Sequence, residues 1–146
     1  MAALQSPPAA SNAYPFSAIF VPFPFVCFTL TLLTDIIYWR TSNLMWSNFS
    51  DWLLFFGLVM GALALIAGLI DYVRPATRAL RPSLGAVLAF IAVLLLALVN
   101  SFIHAGDGWT AIVPAGLIAS AVTLLAMIAA AYLNAGTRTA NAWRIP

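Results

Sequence analysis
The chain alternates long apolar blocks with short polar breaks. Near-continuous runs of apolar residues cover about 21–38, 52–70, 84–103 and 112–133. A stretch of about 20 apolar residues is what an α-helix needs to cross a hydrocarbon core of about 30 Å. The breaks between the runs are about a dozen residues or fewer, which makes successive helices antiparallel. The pattern therefore predicts an all-α fold, an integral membrane up-down-up-down four-helix bundle, with residues 1–146 forming a single transmembrane domain.

Composition strengthens this picture. Hydrophobic residues make up 64% of the 146 and charged residues 7%, where an ordinary soluble domain carries roughly a quarter charged residues. Mean hydropathy is +1.01. Six Arg (40, 74, 78, 81, 138, 144) and four Asp (35, 51, 71, 107), with no Lys or Glu, could not cover a water-soluble surface. Six cations spread among four apolar blocks form no stripe that could replace phosphate counterions, so a nucleic-acid partner is not expected. Cys27 has no second cysteine to pair with and says nothing about redox compartment.

Charge placement predicts orientation. Arg74, Arg78, Arg81, Arg138 and Arg144 fall on the side shared by the termini and the second connection, and Arg40 falls opposite. The positive-inside rule then puts both termini in the cytoplasm of a bacterial inner membrane. Trp39, Trp46, Trp52 and Trp109 fall at the outer ends and Trp143 at the inner side, as interfacial rings do. The N-terminal segment lacks a basic region before its first apolar run and reads as retained. Because each proline biases its predecessor away from the helical region, Val21-Pro22-Phe23-Pro24 predicts a regular helix starting at Pro24. Tyr14 to Phe23 is then expected to be extended or to lie along the inner interface, anchored by Tyr14, Phe16, Phe20 and Phe23.

Close packing and interhelical hydrogen bonds hold membrane helices together, so small residues on one face mark contact surfaces. The second span carries Gly57, Gly61, Ala64 and Gly68 on one stripe. Internal packing is the expected use of this stripe, with homodimerisation through Gly57 and Gly61 as the alternative. Gly85, Ala89 and Ala92 make a comparable stripe on the third span, and Gly116, Ser120, Thr123, Met127 and Ala130 on the fourth. The first span is bulky (Phe25, Phe28, Leu30, Leu32, Leu33, Ile36, Ile37) and is expected to face lipid or a partner subunit.

An ionisable residue inside a span is costly and invites a functional reading. Asp35 is such a residue, about one turn from the outer end of the first span. Asn100 and His104 share a helix face at the same level. The three could converge on a pocket rimmed by Asp51, Trp52, Asp107 and Trp109, where Asp35 and His104 would bind a quinone head group or relay a proton. In the plainer reading Asp35 pairs with Arg40 or with polar groups of a neighbouring helix, His104 caps the third connection at the interface, and Asn100 bonds to another helix. At the opposite end Asp71 is expected to pair with Arg74. Pro75 and Pro82 break the connection, and Arg74, Arg78 and Arg81 are placed to touch anionic lipid head groups.

Motifs for catalysis are missing: there is no Cys/His metal cluster, phosphate loop, nucleophile elbow or zinc-protease helix. A single His excludes bis-His haem ligation within the chain and leaves a pairing of His104 with Met45 as the remaining haem geometry. Neither an enzyme nor a bound cofactor is expected from these residues.

Phe20-Val21-Pro22-Phe23-Pro24-Phe25, Thr34-Asp35-Ile36-Ile37-Tyr38-Trp39, Gly57-Leu58-Val59 and Gly68-Leu69-Ile70-Asp71-Tyr72 resemble an uncharacterised bacterial inner-membrane family, domain of unknown function twenty-two thirty-one. The resemblance is carried by residues 17–72 and implies a four-span protein, a family often described near redox genes. Its usual pattern has a His-Pro pair before Val-Pro-Phe-Pro and another His near the start of the third span. Ser17-Ala18 stands at the first place and no His lies between Arg74 and Asn100. The departure implies a structural, non-catalytic member, with Asp35 and Asp71 as the polar motif positions retained. The expectation is an accessory subunit of a respiratory or photosynthetic electron-transfer complex. Its partners would be membrane lipid and other membrane subunits, with contact to quinone or pigment. A quinone- or haem-binding redox anchor and a small transporter are the alternatives.

Overall fold
The computed structural model describes residues 14–106 and 111–142, excepting the side chains of Ala79, Ala111 and 136–142. The chain forms α1 (Ser17–Phe20), α2 (Pro22–Thr41), α3 (Leu44–Val73), α4 (Leu84–His104) and α5 (Leu117–Ala142), with no strand among the described residues. Helical turns at Pro75–Leu80 and Ala111–Gly116 lead into α4 and α5. Four segments are long and apolar enough to cross a membrane: Ser17–Thr41, Leu44–Val73, Leu84–His104 and Ile112–Ala135. Around the bundle α2 packs on α3, α3 on α4, α4 on α5 and α5 back on α2, so α2 and α4 lie on a diagonal.

The start of the first span departs from the expectation of a regular helix beginning only at Pro24, after a segment extended or lying along the interface. Phe16 and Val21, at the two ends of α1, both have right-handed helical geometry, Val21 with φ −55° and ψ −37°, so α1 and α2 form one rod of 25 residues. The two prolines, Pro22 and Pro24, fall beyond the rod's first turn, and each removes an amide donor there. Asp71 holds the rod's first turn from another helix: its Oδ1 accepts from the Phe16 amide at 3.0 Å and its Oδ2 from the Ser17 amide at 2.8 Å. This through-space cap supplies two of the partners that the first turn of a helix lacks.

The second span is also longer than its apolar block, with 30 residues in α3. Asn43 caps it, Oδ1 accepting from the Met45 amide at 3.0 Å, and Ser42 turns the chain in the left-handed region at φ 54°. The break between α2 and α3 is thereby reduced to Ser42 and Asn43. At 1.5 Å per residue α3 is about 45 Å long, more than a hydrocarbon core requires. Ser83 caps α4 by accepting from the Ala86 amide at 3.2 Å. Before α5, Val113 is extended, as the residue preceding Pro114 is expected to be.

The core is a thin seam of Phe28, Leu54, Val93, Ala97, Met127 and Ala130. Gly57 faces Phe28 and Gly61 faces Leu94, so the α3 stripe is spent inside the bundle, against α2 and α4. Ala64 is buried beside it and Gly68 approaches Ser17. On α5 and the turn before it, the predicted face of Gly116, Ser120, Thr123, Met127 and Ala130 is the buried one. On α4 the stripe is only partly inside: Ala89 packs against the core, but Gly85 meets open space and Ala92 is exposed, while Ala86, Val93, Ala97, Asn100 and His104 face inward. Small residues occur all round this helix, and the two polar side chains decide its rotation because they need partners away from lipid. Phe28 likewise points into the core, whereas Phe25, Leu30, Leu33 and Ile36 face outward.

Candidate functional site
One end of the bundle gathers polar side chains from all four spans. Along α2, Thr31, Thr34, Asp35 and Tyr38 recur at helical spacing on the buried face. The antiparallel order brings the end of α2 beside the beginning of α3, the end of α4 and the beginning of α5. Ser50, Asn100 with His104, and Ser120 enter from those three helices, and all are buried.

Asp35, 0% exposed, is the hub. Its Oδ1 accepts from Ser50 Oγ at 2.5 Å and lies 3.0 Å from His104 Nε2, and its Oδ2 accepts from Ser120 Oγ at 2.6 Å. Asn100 Nδ2 donates to Ser120 Oγ at 2.9 Å, and Thr34 Oγ1 meets Ser50 Oγ at 2.7 Å. His104 Nδ1 lies 3.0 Å from the Asn100 carbonyl oxygen one turn back. Asp35 thus touches both adjacent helices and reaches across the diagonal to α4. Asn100 Oδ1 is buried without a hydrogen-bond partner. The cluster can hold a proton and offers one free acceptor; among the described residues no group of three or more His, Cys, Asp or Glu could bind a metal.

Asp35, Asn100 and His104 are therefore brought together; of the plainer reading, Asp35 does bond polar groups of neighbouring helices and Asn100 does bond another helix, while two parts fail. Arg40 is not the partner of Asp35; it sits over the Trp39 ring, 5.7 Å from its centroid, on the exposed side of the same helix. His104 is not an interfacial cap, being 4% exposed and bonded to Asp35. Of the expected rim, Asp51 is partly buried and interacts electrostatically with Asp35 and His104. Trp52 is exposed and stacks on Phe56. Asp107 and Trp109 lie outside the described residues, as do Trp143 and Arg144. Ser50 and the bonding role of Ser120 were missed, because a serine near a span end has no periodic signature separating a hub ligand from an ordinary polar residue.

The opposite end has its own polar layer. Arg74 Nη1 is 3.3 Å from Asp71 Oδ1, the expected pair, but the carboxylate mainly serves the start of the first span. Thr77 Oγ1 donates to the Asp71 carbonyl at 2.5 Å, fastening the turn to α3. Arg74 stacks over Phe16, Arg81 stacks over Tyr72 and donates to the Tyr72 carbonyl, and Arg78 is exposed.

Four apolar helices with their polar side chains turned toward a shared interior define an integral membrane helical bundle. The family model described as "Predicted membrane protein (DUF2231)" matches residues 13–144, and the chain belongs to that family. The match extends well beyond the motifs of residues 17–72. No curated protein and no solved structure matches the chain.

Proposed function
We propose that this protein is a non-catalytic accessory subunit of a bacterial inner-membrane electron-transfer complex, with both termini cytoplasmic. One observation carries the reading: the interior polar groups bind largely to one another across all four helices, while large apolar side chains cover the outside along every span. Such a molecule offers contact surface as its main asset. Excess arginine at the end bearing Arg74, Arg78 and Arg81 supports the orientation, and exposed Arg78 is placed to meet anionic head groups at about 1 kcal/mol. Purification from native membranes in mild detergent should yield the chain with co-migrating redox subunits. A stable isolated monomer under those conditions would sink the proposal.

A second reading rests on the unpartnered Asn100 Oδ1 beside Asp35 and His104. A quinone bound there in its quinol form, donating a hydroxyl to that oxygen, or a haem edge packed beside it, would make the protein a redox anchor. Absence of both a Soret band and extractable quinone in the purified protein would remove that reading.

A further inference from the structure
We infer that the Asp35–His104 pair is a proton-binding site: it holds one exchangeable proton, and that proton ties α2 to α4 across the bundle diagonal. The argument begins at the other ring nitrogen. A backbone carbonyl can only accept, so the 3.0 Å approach of Nδ1 to the Asn100 oxygen requires a hydrogen on Nδ1. With Nδ1 protonated, a bare Nε2 would face an ionised Oδ1 at 3.0 Å, two acceptors with no hydrogen between them. One further proton resolves the clash, either as imidazolium against carboxylate or as neutral imidazole accepting from a carboxylic acid. In both forms the pair is neutral as a whole. Neutrality suits a site 0% exposed at Asp35 and 4% at His104, where an uncompensated charge would be costly.

The surroundings favour this state. Ser50 and Ser120 donate to the carboxyl group from α3 and α5, one to each oxygen. Of the ionisable groups on the packed elements, α2 contributes Asp35 itself and buried Tyr38, and α3 contributes Asp51. The polar side chains described on α5 at this end are the hydroxyls of Ser120 and Thr123, without acid or base. Loss of the shared proton would leave α2 and α4 in mutual repulsion at this end, so proton release is coupled to separation of the diagonal helices. The site requires no partner subunit and stands independently of the host complex.

The chain has a single histidine, so [15N]histidine labelling of the whole protein in lipid nanodiscs reads this site alone. The expected spectrum has Nδ1 protonated and Nε2 either protonated or in a strong hydrogen bond. Raising the pH should bring one joint transition of the two ring nitrogens as the shared proton is lost. A neutral ring with bare Nδ1 and protonated Nε2 would overturn the inference. Asp35→Asn should abolish the joint transition, since an amide can donate to Nε2 without an added proton, and an unchanged transition would equally overturn it. The double substitution Asp35→Asn with His104→Gln restores a neutral hydrogen bond and keeps folding separable from protonation. It should release one proton fewer per chain in difference titration, and an equal proton count would refute the site.

Discussion

At the scale of the residue, Asp35 shows how a carboxyl group is accommodated in a bundle whose outer surface is lipid-like. No arginine is needed: two hydroxyls and an imidazole surround it, each from a different helix. Removing the hub takes a partner from three buried groups at once, Ser50, Ser120 and His104, whereas removing Ser120 takes one from two, Asp35 and Asn100. Breaking a buried charged pair costs about 3–5 kcal/mol, and single interhelical hydrogen bonds in membranes average about 0.6 kcal/mol. Asp35→Ala is therefore expected to lower unfolding free energy in detergent by about 3 kcal/mol or more, and Ser120→Ala by about 1 kcal/mol, both measured by reversible denaturant titration. A double-mutant cycle between Asp35 and His104 should give a coupling above about 1 kcal/mol. A coupling near zero would mean that the hydroxyls alone hold the carboxyl group.

At the scale of the element, glycines on two helices have opposite expected effects. A Cβ at Gly57 would stand 2.5 Å from Phe28 Cε1, a ring fixed in the core, and one at Gly61 would stand 2.4 Å from Leu94 Cδ2, the end of a flexible side chain. A Cβ at Gly85 meets nothing within 4 Å. Gly57→Ala should destabilise most, by about 1–3 kcal/mol through overpacking, and Gly61→Ala less. Gly85→Ala should stabilise by up to about 1 kcal/mol, because alanine is the better helix former. Thermal unfolding of the three variants in one detergent gives the order directly. The first turn of α1 depends on a residue about 55 positions away. Asp71→Ala should raise amide exchange at Phe16 and Ser17 while leaving the middle of α2 protected, and unchanged exchange would show that the cap does not hold that turn.

At the scale of the whole molecule, orientation can be tested with a cysteine-reactive, membrane-impermeant reagent in a Cys27→Ser background. Arg78→Cys should be protected from the periplasmic side and Asp107→Cys reactive, and the reverse pattern would invert the topology. The number of spans and their antiparallel order could be read from the apolar blocks, because lipid demands long runs of apolar residues whatever the helices pack against. The glycine stripe of α3 and the buried face of α5 were legible for a related reason, since small and hydroxylated residues recur there at helical spacing. The buried face of α4 was not, because alanine and glycine are spread around it and its rotation follows the need of Asn100 and His104 for partners. The beginning of α1 was misread from its prolines, because the acceptor that stabilises it lies on another helix. Local hydropathy thus determined that this chain crosses a membrane four times and that Asp35, Asn100 and His104 lie at one level. Only the tertiary structure decided that they meet, because the direction in which a buried polar group points depends on donors supplied by helices far apart in sequence.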